Sequence, residues 1–206
     1  MTTRQDIILV GGGGHCRSCI DVIEATGAYT IKGIVDVAEK VGQSVLGYPI
    51  VAADDDLPAL VGEGPLFLVT IGQVKTPDPR IRAFERLAAL SAGLATVVSP
   101  LARVSRHATL GQGTVVMHHA VVNAGARVGA NCILNTSCLV EHDAVVADHC
   151  HVSTAAVLNG GARIGRGSFL GSNAVTREGM DIGERCVIGC GVRVLKPVPD
   201  NRTLKG

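Results

Sequence analysis

The chain has 206 residues, room for one or two ordinary domains and no more. Apolar residues make up 47% and charged ones 18%, so it can bury a core and does not read as disordered. Nineteen Lys and Arg against eighteen Asp and Glu leave a net charge of +1 with no basic block, which argues against nucleic acid as a partner.

The chain opens with a strand pattern at Ile7–Val10, then Gly11-Gly12-Gly13-Gly14-His15, an amphipathic helix near Cys16–Ala25 and a strand at Ile31–Val35 ending at Asp36. This is a βαβ unit, extended by a strand at Leu66–Ile71, a helix at Pro79–Ala92 and a last short strand at Leu94–Val98. A small Rossmann-like α/β domain is expected over residues 1–100. The glycine run presents backbone N–H groups at a helix N-terminus, the arrangement that holds phosphate. It is a poor dinucleotide fingerprint, because GxGxxG counted from Gly11 needs glycine at Cys16, and counted from Gly12 needs it at Arg17. A nucleotide-sugar phosphate near Gly13 and Gly14 is the favoured reading, with a purely structural turn as the alternative. Asp36 is placed to accept hydrogen bonds from a ribose or base, or is a solvated strand-end carboxylate. Cys16 and Cys19 form a lone CxxC without the second pair of a zinc ribbon.

The residues from 101 to 206 repeat every six. Stepping from Val104 gives sixteen positions, through Leu110, Val116, Val122, Val128 and Leu134 and on to Val194, and only Thr176 breaks the aliphatic series. Two residues before each aliphatic stands a small side chain, including Cys132, Cys138, Cys150 and Cys186, so these cysteines are expected in a core rather than in disulfides. The residue after each aliphatic is often Gly or Asn, such as Gly111, Asn123 and Asn159, and is expected in a left-handed turn. Small and aliphatic residues two apart share one face of a strand, so each hexad reads as a short strand and a corner. The repeat resembles that of the hexapeptide acyltransferases, whose coils hold three hexads, which implies that residues 18 apart stack directly over one another.

One corner departs from the pattern. Its column reads Asn123-Ala124-Gly125, Glu141-His142-Asp143, Asn159-Gly160-Gly161 and Arg177-Glu178-Gly179. The second layer packs two carboxylates around an imidazole where its neighbours carry turn formers, which points to function. His142 is the candidate general base, an adjacent carboxylate can fix its tautomer, and Gly160 one coil on can offer an N–H to an oxyanion. The break at Thr176 is either part of a coenzyme-side loop through Asp181 or an irregularity.

The unbroken period of six resembles the hexapeptide acyltransferases, which implies a left-handed parallel β-helix. The stretch Ile133-Leu134-Asn135-Thr136-Ser137-Cys138-Leu139-Val140-Glu141-His142-Asp143, then His151-Val152-Ser153, with GGGGH near the start, resembles sialic-acid-type sugar O-acyltransferases and their relatives that N-acetylate nucleotide-linked 4-amino sugars. The resemblance implies that His142 deprotonates the sugar amine and Asp143 orients it. It further implies that His151 meets the acetyl group, Gly160 contacts its carbonyl and Asn135 lines the site. His15, with the glycine loop and Asp36, lies by the nucleotide sugar. Acetyl-CoA as co-substrate and a homotrimer with sites between its subunits follow from the same resemblance, and no metal is expected.

The expected activity is acetyl-CoA-dependent N-acetylation of a UDP- or GDP-linked 4-amino-4,6-dideoxy sugar, with O-acetylation of a sialic acid or related hydroxyl as the alternative. A zinc lyase on the same β-helix needs histidines stacked at multiples of 18, whereas His107 to His142 is 35 and His118 to His142 is 24. A non-catalytic nucleotide-binding scaffold is the other rival. No apolar stretch approaches the roughly 20 residues of a membrane span, so a cytoplasmic protein without a membrane partner is expected.

Overall fold

In a strand, four consecutive aliphatic side chains such as Ile7 to Val10 can all be buried only if the sheet is covered on both faces. The computed structural model, which describes residues 4–205, buries each of them to within 3% of complete. The chain divides into two compact units. One holds the residues up to Gly72 together with Asp78–Val97, and the other holds Gln73–Pro77 with the residues from Val98 onward.

In the first unit, β1 (Gln5–Val10), α1 (Gly14–Thr26), β2 (Tyr29–Asp36), β3 (Ser44–Val45), β4 (Tyr48–Ala53), α2 (Leu57–Gly62), β5 (Leu66–Val69), α3 (Asp78–Ala89) and β6 (Gly93–Leu94) follow in order. The sheet order is β3-β4-β2-β1-β5-β6, parallel except for the β3–β4 hairpin. That hairpin and α2 were not legible in the alternation of residues. Its turn is Leu46-Gly47, both with positive φ, at 49° and 86°. α1 buries Cys16, Cys19, Ile20 and Ile23, the one-face spacing of a helix, and stops at Gly27 with φ 63°. The CxxC pair is therefore packing material, and burial pushes the Cys19 thiol up to about 12.

The second unit is a left-handed parallel β-helix of two-residue strands stacked in three parallel sheets. Register follows the repeat: Val115 pairs with Ile133 and Ile133 with His151, each 18 residues on. The interior is one row of small residues and one of aliphatics, with Cys132, Cys138, Cys150 and Cys186 all fully buried. Stacking continues beyond Val194. A four-residue step reaches Val198, which bridges to Ile182, and Thr203–Leu204 then pairs with Val187–Ile188.

The corner glycines correct one expectation. From Leu110 to Ile188 the left-handed residue is the third after each column position, as at Gly113, Gly125, Asn131, Asp143 and Gly161, and not the first. The first position carries glycine for another reason. A Cβ at Gly171 would lie 2.6 Å from the Ile188 carbonyl oxygen, so the next coil's backbone leaves no room for one. Among the described residues, no helix is long and apolar enough to cross a membrane.

Six of the seven cysteines are buried and only Cys190 is exposed. Burial pushes the Cys138 thiol up to about 12 and Cys150 well above its ordinary value. Because the thiolate is the reactive form, a soluble alkylating reagent should label Cys190 in the native protein. Peptide mapping should find Cys138 and Cys150 modified only after unfolding.

Candidate active site

Glu141, His142 and Asp143 form the corner between the strands Leu139–Val140 and Val145–Val146. The corner is tied on both sides: Glu141 N–H donates to Leu158 O at 2.9 Å, and Asp143 N–H donates to Ala124 O at 3.1 Å. Glu141 Oε2 accepts from Asn123 Nδ2 at 2.9 Å and from the His142 N–H at 3.1 Å, so this carboxylate braces the turn. Asp143 Oδ2 lies 3.0 Å from His142 Nδ1. An ionised carboxylate only accepts, so Nδ1 carries the proton and the neutral ring leaves the Nε2 lone pair open. The Asp143 hydrogen bond raises the His142 pKa above its ordinary value, slight desolvation lowers it, and the Asp143 and Glu141 charges raise it further.

Two glycines make room for this pair. Asp143 stacks on Gly125, where a Cβ would collide with Asp143 Oδ1. The imidazole lies against Gly160, where a Cβ would stand 2.7 Å from Nε2 and 2.8 Å from Cε1. Among the described residues, the Gly160 N–H donates to no acceptor, so a hydrogen-bond donor stands free in the layer above the imidazole. The dyad itself is open, with side-chain exposures of 67% for His142 and 73% for Asp143.

Asn135 and His151 form a second cluster. His151 lies on the strand His151–Val152, on a different face from Leu139–Val140, and Asn135 starts the corner after Ile133–Leu134. A single chain therefore brings His142, Asp143 and Gly160 to one corner, and Asn135 and His151 to another. His151 points away from the aliphatic core yet is 5% exposed, with Gln73 and the edge-on ring of Phe169 packed against it. Gln73 O accepts from His151 Nδ1 at 2.6 Å, and Gln73 Nε2 donates to Gly167 O at 3.2 Å. Asn135 Oδ1 accepts the Thr136 N–H at 2.8 Å, which turns its Nδ2 toward His151 Nε2 at 3.1 Å. His151 is thus held as the Nδ1–H tautomer. Gln73 lies in an irregular segment, and no motif marked it.

In the first unit, a cavity of about 650 Å³ lies over the glycine loop, lined by Gly11, Gly13, Asp36, Lys40, Arg82 and Arg86 among others. Gly14 and His15 open α1 and are not in its lining. His15 Nε2 lies 3.4 Å from Cys19 Sγ. Asp36 is more occupied than its strand-end position implied: Oδ2 accepts from Gly12 N–H at 2.7 Å, Oδ1 from Val37 N–H at 2.7 Å, and Lys40 Nζ reaches both oxygens. Burial pulls its pKa up, but the bonds from Val37, Lys40 and Gly12 outweigh that and hold it below the ordinary carboxylate value. Arg82 and Arg86, four apart on α3, were overlooked, though their helical spacing places them on one face. No group of three or more His, Cys, Asp or Glu that could hold a metal occurs among the described residues.

The family model of the PglD N-terminal domain matches residues 6–87, and that of the hexapeptide repeat of succinyl-transferase matches residues 161–196. No curated protein matches the sequence. Among solved structures, the acetyltransferase domain of PglB from Neisseria gonorrhoeae is similar at 31% identity and a TM-score of 0.90, over 98% of this chain and 97% of that one. It has also been solved with acetyl coenzyme A. PerB from Caulobacter crescentus, solved with CoA and GDP-perosamine, is similar at 32% identity and a TM-score of 0.90, over 98% and 94%. WeeI from Acinetobacter baumannii shares the fold, at 20% identity and a TM-score of 0.87 over 98% and 97%.

The dyad geometry has a direct spectroscopic consequence. Asp143 stabilises the protonated imidazole, so the His142 midpoint in an NMR titration of ring carbons should lie above the ordinary histidine value. Asp143→Asn should lower it. Gly125→Ala, which drives a methyl into the carboxylate, should lower it in the same direction.

Proposed function

Because the chain belongs to the acetyl-CoA-dependent sugar N-acetyltransferases that join a PglD-type N-terminal domain to a hexapeptide-repeat β-helix, we propose that its acceptor is the 4-amine of a UDP- or GDP-linked 4-amino-4,6-dideoxy sugar. His142 is the general base. The carrying observation is the His142–Asp143 pair, which leaves Nε2 as a proton acceptor beside the free N–H of Gly160.

In this reading the neutral amine attacks the thioester carbonyl and the new C–N bond forms. The Gly160 N–H stabilises the oxyanion, and His142 Nε2 takes the proton from the nitrogen. The C–S bond then breaks, and the proton passes from His142 to the departing CoA sulfur. Asp143 holds the tautomer and supports the imidazolium. The N-terminal unit takes the nucleotide, with its diphosphate at Gly13 and Gly14 and the cations Lys40, Arg82 and Arg86 along the cavity. Relatives solved with acetyl coenzyme A, CoA and GDP-perosamine support the pairing of these ligands. Asn135 and His151 contribute from a neighbouring copy in a cytoplasmic homotrimer, with acetyl-CoA between the two β-helices.

The deciding experiment is a panel of UDP- and GDP-linked 4-amino-4,6-dideoxy sugars with acetyl-CoA, followed by thiol release and mass spectrometry of the product. At least one member should gain an amide-linked acetyl group, and acetylation of hydroxyl acceptors alone would refute the reading. On the best acceptor, His142→Ala should lower kcat by about 10²–10⁴-fold, while its unfolding free energy moves by no more than about 0.5 kcal/mol, as for other exposed sites.

The nucleotide end can be tested separately. A Cβ at Gly13 meets nothing within 4 Å, and its φ of −79° suits any residue. Gly13→Phe should therefore fold normally and fill the cavity. The KM for the nucleotide sugar should rise with the acetyl-CoA KM nearly unchanged, which steady-state kinetics with each substrate varied will check.

A further inference from the structure

Thr176 is the single non-aliphatic residue in the sixteen-position column, and it is 1% exposed. A hydroxyl in so thin a core needs a reason, since the repeat offers valine, leucine or isoleucine everywhere else. Its bonds supply one. On this corner the first residue regularly donates its N–H to the carbonyl of the aliphatic residue one coil on. Ser105 donates to Val122 O, Asn123 to Val140 O, Glu141 to Leu158 O and Arg177 to Val194 O, each at 2.9 Å. Asn159 alone departs. Its N–H goes to Thr176 Oγ1 at 2.9 Å, and its side-chain Nδ2 takes the vacated Thr176 carbonyl at 2.7 Å. The ladder records the change: only Val157 and Val175 pair at this step, where the neighbouring steps keep two pairs.

The rewired corner is the one directly over His142. Asn159 is gripped from above by two hydrogen bonds to one residue, while Gly161 N–H donates down to His142 O at 3.0 Å and Gly179 N–H donates to Gly160 O at 2.9 Å. Gly160, between these anchors, lies against the imidazole with its own N–H unengaged among the described residues. We propose that Thr176 and Asn159 are positioning residues: their two-bond clamp shifts and fixes the Asn159–Gly160 corner so that the Gly160 amide faces the thioester carbonyl above His142. This rests on the acetyl-transfer reading of that corner. A valine would restore the regular bond and the aliphatic column, so the hydroxyl is explained by the corner it moves and not by the core it sits in.

The test is Thr176→Val beside Thr176→Ser and Asn159→Ala. Thr176→Val should keep or raise the thermal midpoint. It should lower kcat roughly ten- to a hundredfold, the range expected of a displaced oxyanion donor, with the KM for the nucleotide sugar unchanged. Thr176→Ser keeps the hydroxyl and should stay close to wild type, and Asn159→Ala, which loses one arm, should fall between. Calorimetry without any acceptor gives an independent readout. Wild type should bind acetyl-CoA more tightly relative to CoA than Thr176→Val does, by about two- to tenfold, the worth of one hydrogen bond. Wild-type kcat together with a wild-type affinity ratio in Thr176→Val would overturn the clamp, as would a Thr176→Ser loss equal to that of Thr176→Val. If wild type acetylates no amino sugar, the acetyl-transfer reading fails while the affinity ratio still decides the clamp.

Discussion

Backbone stacking at one strand spacing governs the second unit. Residues 18 apart are held about 4.8 Å from one another, so no side chain in a corner can be larger than its neighbours in the layers above and below permit. Gly171 is glycine because the next coil's carbonyl occupies its Cβ position. The same rule shapes the candidate site. Asp143 can occupy its place only because residue 125 has no side chain, and the imidazole can lie where it does only because residue 160 has none. The dyad is cut into the β-helix by omission, and beside it the Gly160 N–H stands unengaged among the described residues.

The first unit meets a different demand, the recognition of charge, by different means. Its parallel strands end at a loop of glycines, and the α1 N-cap is Gly13, with no side-chain cap. The open helix N-terminus and Arg82 then favour an anionic ligand by the same sign of field, while Lys40 is paired with Asp36 and Arg86 with Asp55. The Asp36 carboxylate, tied to Gly12, Val37 and Lys40, offsets the Lys40 charge and adds nothing to that field. It acts as a strut that holds the glycine loop against the end of β2.

Periodicity made the β-helix legible, since a six-residue repeat with small and aliphatic residues two apart admits few other structures. The anomalous corner was legible for the same reason: a repeat makes His142 conspicuous. What escaped was whatever the repeat does not encode. The left-handed turn position was misplaced because glycine serves two needs in a corner, positive φ at Gly125 and close approach at Gly171, and composition alone cannot separate them. Thr176 was visible as a break, but its partner Asn159 looked like any other turn residue until the hydrogen bonds were known. Gln73 carries no pattern at all, because it acts on His151 through a backbone carbonyl that any residue would supply.

The openness of the dyad bears on assembly. As the proposed base, His142 at 67% side-chain exposure would work in water, where the fields of Asp143 and Gly160 are weak and a thioester would be open to hydrolysis. Among the described residues of one chain no side chain closes that corner, and the other candidate pair, Asn135 with His151, sits on another face of the coil. A cyclic assembly of three or more copies sets one surface of a subunit against a different surface of the next and closes without leaving a free end. It would bring a neighbour's second cluster toward the first chain's dyad, dry the corner and divide the coenzyme's contacts between two copies. In the proposed trimer, the exposed face of His142 is the one that the neighbouring copy would cover.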